Sequence, residues 1–316
     1  MFAFGQELGG DLTMSARILR EKYTREFVGM EKYARATGWV IVAGYVLQIV
    51  GAIAAGHYLL SLEPTIFTLI AVFLMILLIG TRLRGLNNII HECSHATFSA
   101  HREDNTRIGK LCAALLLNSF TDYRDEHLSH HAHLGDYEHD LDLQGIEALR
   151  LHDPLTPRVF LRHLSAPLLG RHLPYYLGLN LSARDGRGWQ VLKYALIGAT
   201  SMFTAVYPQT AVVFLIVPYV LIFSSLNYWA DCMDHAGLVH GEDDLDASRN
   251  MLAPSPLRWL FFPRNDCYHL VHHLFPHVPA RHLGATHAVL ETDDLYRSRR
   301  NAVRSRPSET AAIAAE

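Results

Sequence analysis

Charge is scarce in this chain of 316 residues: Asp, Glu, Lys and Arg make up 19% of it, against 50% hydrophobic residues. A soluble domain carries about 25% charged residues, so the shortfall points towards a membrane. The net charge of −3 with histidines neutral argues against a nucleic-acid partner. Lysine is nearly missing, with only four among 28 basic residues, a bias that points to a GC-rich bacterial source. Cysteine is equally sparse. Cys93, Cys112, Cys232 and Cys267 form no close pair such as CxxC, which fits free thiols in a reducing compartment. The first 38 residues lack the apolar segment of a signal peptide. They form a polar arm with six Lys or Arg. Histidine is also missing from residues 1–90 except for His57, yet the chain has 20, and the other nineteen lie between His91 and His287.

Four segments are apolar enough to cross a bilayer: about 39–60, 65–81, 191–207 and 211–230. Each has about 17 to 22 residues, enough at about 1.5 Å per residue to span a core of about 30 Å. Pro218 predicts a kink in the last one. The segments pair into two hairpins, linked by residues 61–64 and 208–210, and neither link holds a Lys or Arg. Every basic residue therefore falls on the opposite side, which the positive-inside rule assigns to the cytoplasm. The expectation is an all-α fold: four transmembrane helices in two hairpins, with a cytoplasmic helical cap between them. Residues 1–38 would be a cytoplasmic arm, 39–290 the membrane domain, and 291–316 a disordered tail. Residues 155–181, mixing Leu, Phe and Tyr with arginines, read as amphipathic helices on the membrane surface.

The histidines cluster where that topology places the cytoplasmic face. His91 and His95 stand four apart, just beyond the second span. His127, His130 and His131 form HxxHH, and so do His269, His272 and His273. On a helix, positions i, i+3 and i+4 share a stripe, so each triplet is expected to aim at a common point. The fourth span leads into Asp231 and His235, again four apart. Nine such histidines are more than one metal needs. The first cluster also reads HExxH, with Glu92 where a zinc protease has its general base. A zinc protease needs only three ligands for its metal. A metal transporter would carry ionisable residues within its spans, and these hold little besides Gln48 and Lys193. His101, His152, His163, His172, His240 and His282 lack helical partners and are expected in ordinary surface or interfacial roles. His133, His139, His277 and His287 could orient ligands.

HxxxH, HxxHH and HxxHH in this order, divided by a pair of spans, resemble the three histidine boxes of the integral-membrane fatty acid desaturase superfamily. The resemblance covers roughly residues 35–290. The stretch from His91 to Phe98 is similar to the first box of acyl-lipid and sphingolipid desaturases. His131–Asp136 with Asp140–Asp142 resembles the stretch after the second box, and His269–Pro279 resembles the third. Front-end desaturases usually have Gln where this chain has His269. The cytochrome b5 motif His-Pro-Gly-Gly of fused members is absent.

The resemblance implies two non-haem irons held by His91, His95, His127, His130, His131, His235, His269, His272 and His273. Asp231 falls where some members have an Asn reaching a metal through water. O2 would be co-substrate, with electrons from a separate ferredoxin or cytochrome b5-type protein. The implied reaction is insertion of a double bond into a fatty-acyl chain held in an apolar tunnel. A hydroxylase or ketolase acting on an alkyl, carotenoid or sphingoid substrate is the alternative. The implied location is the inner membrane of a bacterial cell, as a multi-pass protein with a cytoplasmic active site. Glu92, Asp122, Asp125, Glu126, Asp140 and Asp266 are candidates to orient ligand imidazoles, and Arg82, Arg84 or Arg124 could meet a head group.

Overall fold

The computed structural model describes residues 15–239, 243–252 and 254–302, without the side chains of 300–302. Helices dominate, and no strand forms among the described residues beyond one isolated bridge between Tyr33 and Ser99. Helix α1 (Ser15–Phe27) precedes two long apolar helices, α2 (Arg35–Leu60) and α3 (Ile66–Ser94). After these come α4 (Arg102–Leu115), α5 (Phe120–His133) and α6 (Pro157–Ser165). Next are α7 (Arg187–Val206) and the long helix α8 (Pro208–His235). Short helices follow, among them α9 (Ser255–Phe261), α10 (His269–Leu274), α11 (Leu283–Leu290) and α12 (Asp294–Ala302).

Three of these, α2, α3 and α8, are long and apolar enough to cross a membrane. The segment expected as a fourth span is helical, as α7, but does not count among these three; Gln190 and Lys193 lie in its first two turns. Lys193 is fully buried, and its ammonium donates to the carbonyls of Asn180 at 2.8 Å and Ser182 at 3.2 Å. The two turns of the chain differ. Residues 61–64 form a loop closed by the capping box of Thr65 and Thr68. Residues 208–210, expected as a link, instead form the first turn of α8, with Pro208 at a position where a missing N–H costs nothing. The proline inside α8 acts through winding. The helix widens to π geometry over Val212–Ile216 and Pro218–Phe223, which accommodates the donor that Pro218 lacks.

The long helices approach closely at glycines. A Cβ on Gly80 would overlap Ile222 of α8, and one on Gly85 would overlap the Tyr45 ring of α2. The α2–α3 pair packs on α4 through a core that includes Ile89, Ile90, Phe98, Ile108 and Phe120. A second core lies at the other end of the sequence. Leu19, Tyr23 and Phe27 of α1 pack with Leu270, Val271 and Phe275, and Arg20 of α1 donates to the carbonyls of His273 at 3.2 Å and Leu274 at 3.1 Å. Helix α1 is thus a clasp on the segment that carries the third histidine box. Of the tail expected to be disordered, residues 294–302 form α12, and 303–316 lie outside the described residues.

Candidate metal centre

Four helix ends bring the histidines together. α3 delivers His91 in its last turn and His95 as its C-terminal cap residue. α5 carries the second box, and its start is fixed by Asp185, which accepts from the backbone N–H of Phe120 and Thr121 at 2.9 and 3.0 Å. α8 ends on His235, and α10 opens on His269.

Nine histidines converge in two groups. His91, His95, His127, His131 and His272 form one, and His130, His235, His269 and His273 the other; within each group the ligand atoms lie within 4.8 Å of one another. In the first group the Nε2 atoms of His91 and His272 are 2.8 Å apart, those of His131 and His272 2.9 Å, those of His95 and His127 2.8 Å, and those of His127 and His131 3.1 Å. In the second, Nε2 of His269 stands 2.9 Å from those of both His235 and His273. Nitrogens bound about 2.1 Å from one ion at right angles lie about 3 Å apart, so this spacing fits a metal at each focus. The rings of His131 and His273 stack with centroids 4.3 Å apart, so the two groups adjoin.

The triplets do not each aim at one point, as helical spacing predicts. His127 and His131 join the first group while His130 joins the second, and His269 and His273 join the second while His272 joins the first. Positions i and i+4 differ by about 40° around a helix and i+3 falls about 60° to the other side of i. With two foci side by side, i and i+4 share one and i+3 turns to the other.

Burial pushes the imidazoles of His127, His131, His269, His272 and His273 well below the ordinary histidine pKa. They are therefore neutral near pH 7 and present free lone pairs, the state a metal requires. His130 differs. Burial opposes its charge, but the Asp140 carboxylate, 2.8 Å from Nδ1, outweighs that and raises its pKa. That contact fixes Nδ1 as the donor and leaves Nε2 for the second focus. His235 is oriented likewise by the Ala247 carbonyl, 2.9 Å from its Nδ1. Asp234 lies 3.5 Å from His269 Nδ1.

The other expected residues take different places. Asp231 lies outside both groups and accepts from the Tyr176 hydroxyl at 2.6 Å. Glu92, the would-be protease base, is buried against Arg264, whose Nη2 donates to it at 3.0 Å. Asp266 pairs with Arg84, while Asp122 and Asp125 both accept from Arg184. Arg124 donates to the Ser94 carbonyl. His139 pairs with Asp136 and His287 with Tyr296. His163 and His172, expected in surface or interfacial roles, are buried against α8 and bond its Tyr228 and Ser224 at 2.6 and 2.9 Å. Helical periodicity cannot find such lone partners. His240 lies outside the described residues.

A cavity of about 200 Å³ opens against both groups, touching His91, His127, His130, His235 and His269. Its further lining is mixed: Asn87, Asn118, Asp142, Asp231 and Asp234 stand beside Leu143 and Ile146. An apolar cavity of about 540 Å³ lies between α6, α8 and α9, lined by Phe160, Leu226, Trp229 and Met233, and none of the nine histidines lines it.

Helices long and apolar enough to cross a membrane thus end in two adjoining groups of imidazoles, each able to hold a metal ion. Residues 67–303 match the fatty acid desaturase family model, and the chain belongs to that family. The dihydrorhizobitoxine desaturase of Bradyrhizobium elkanii is 30% identical over 224 residues, covering 65% of this chain and 64% of that protein. The chain thus spans just under two thirds of the length of this curated relative.

Proposed function

We propose that this chain is an O2-dependent di-iron desaturase of a bacterial inner membrane. It would cross the bilayer four times, with both termini and the metal centre on the cytoplasmic side. The observation that carries this reading is the convergence of nine histidines into a five-membered and a four-membered group. His91, His95, His127, His131 and His272 would hold one iron, and His130, His235, His269 and His273 the other. An all-imidazole donor set suits iron. Iron supplies the redox chemistry: with O2, two electrons from a separate ferredoxin or cytochrome b5-type donor and two protons, two hydrogens leave adjacent carbons, giving a double bond and two waters.

The protein's own residues would set the geometry. Asp140 and the Ala247 carbonyl hold His130 and His235 with Nε2 inward, and the Arg264–Glu92 pair ties α3 to the segment preceding α10. Asp231, held by Tyr176, would meet the substrate or a metal-bound water in the cavity. Glu92 is engaged by Arg264, which leaves no free base for the protease reading.

For the substrate we favour a small polar molecule over a fatty-acyl chain. The cavity that reaches both histidine groups sets carboxylates, amides and phenols beside Leu143 and Ile146, whereas an acyl tail calls for an apolar lining throughout. The relative's name records a desaturase of dihydrorhizobitoxine, outside the fatty acids. The acyl reading keeps the support of the family itself. Anaerobic purification should yield two irons per chain. Mass spectrometry of polar metabolites and lipids from a host with and without the gene should then show a product lighter by two mass units in the polar pool. The same loss in membrane acyl chains would favour the acyl substrate, and a gain of sixteen would indicate hydroxylation. A chain that binds zinc alone and leaves both pools unchanged would end the reading.

A further inference from the structure

Away from the cavity that meets the histidines, a cleft of about 350 Å³ lies between α2, α3 and α9. Four arginines line it, Arg82, Arg258, Arg264 and Arg281, and no Asp or Glu does. Two of them are balanced from outside the lining. Arg264 pairs with Glu92, and Arg281 lies 3.6 Å from the exposed Glu31. Arg82 and Arg258 have no carboxylate partner among the described residues. Arg258 donates to the hydroxyls of Tyr268 and Ser255. Arg82 is 2% exposed and stacks over the Trp259 ring at 4.3 Å, and one guanidinium nitrogen donates to the Trp259 carbonyl at 2.7 Å. Its Nε is buried with no hydrogen-bond partner.

Buried guanidinium donors without an acceptor are costly, and several arginines around one concavity match the oxygens of a phosphate. The position of the cleft narrows the source. Arg82 stands about 24 Å along α3 from its outer end at Ile66, close to the inner edge of a core about 30 Å thick. At the mouth, α9 exposes Leu257 and Trp259, the residue types that settle at a bilayer interface. We propose that this cleft binds the phosphate headgroup of an inner-leaflet phospholipid, with Arg82 and Arg258 as its principal contacts. The assignment rests on the proposed membrane orientation but not on which substrate the histidine groups act on, since none of the nine lines this cleft.

The test uses iron-loaded full-length protein in neutral detergent, titrated with short-chain phosphatidylglycerol, the matching diacylglycerol and inorganic phosphate. Phosphatidylglycerol should bind saturably and more tightly than either of the others. Arg258→Gln should weaken that binding about tenfold or more, the loss expected for one charge-assisted contact, with iron content unchanged. Arg281→Gln, on the more exposed side, should weaken it in the same direction and keeps the test open if the Arg258 variant misfolds. Equal binding of diacylglycerol, equal binding of inorganic phosphate, or wild-type affinity in the folded variants would each overturn the assignment.

Discussion

At the residue scale, the ligands depend on what stands behind them. Asp140 is fully buried, accepts from His130, and also caps the short helix Leu141–Gln144 by accepting from the N–H of Asp142 and Leu143. An asparagine there keeps a capping oxygen and removes the charge facing the imidazole. Asp140→Asn should therefore fold normally yet bind iron about 10- to 100-fold more weakly, as outer partners of metal ligands generally show; iron titration with far-UV circular dichroism separates the two effects. This partner was within reach of sequence reasoning only as one of six candidate carboxylates. Asp140 lies ten residues beyond His130, across a turn whose path no periodicity reveals. The spacing of the histidines themselves was far more legible, because i and i+4 lie on one helical face whatever the tertiary fold.

At the element scale, the long helices were legible and their ends were not. Uncharged runs identified α2, α3 and α8, since burying twenty apolar residues in lipid leaves an unmistakable composition. The boundary at Pro208 escaped because proline both breaks a helix and starts one, and only the position of its missing N–H decides. The α1 clasp was hidden for a similar reason: a short amphipathic helix among charges carries no sign of which distant element it covers. Close helix contacts at glycine were likewise invisible without the fold. Gly85 admits the Tyr45 ring, so Gly85→Val should force α2 from α3 and cost about 1–3 kcal/mol. A lower melting temperature in detergent measures it, and an unchanged one would remove this contact from the packing of the pair.

At the scale of the whole molecule, the topology has a direct readout. Alkaline phosphatase fused after Glu63 or Tyr207 should be active outside the cytoplasm, and fused after Asp185 it should be inactive. Activity at 63 but not at 207 would show that α7 and α8 do not cross as a pair and would overturn the four-span reading. A larger consequence comes from the way both HxxHH boxes straddle the two foci. An ion that settles in one cage would immobilise α5 and α10, and those same helices also present ligands to its neighbour. Occupancy should therefore be cooperative. Native mass spectra recorded during iron titration should show chains with none or two, and the singly loaded species should stay a minor one throughout.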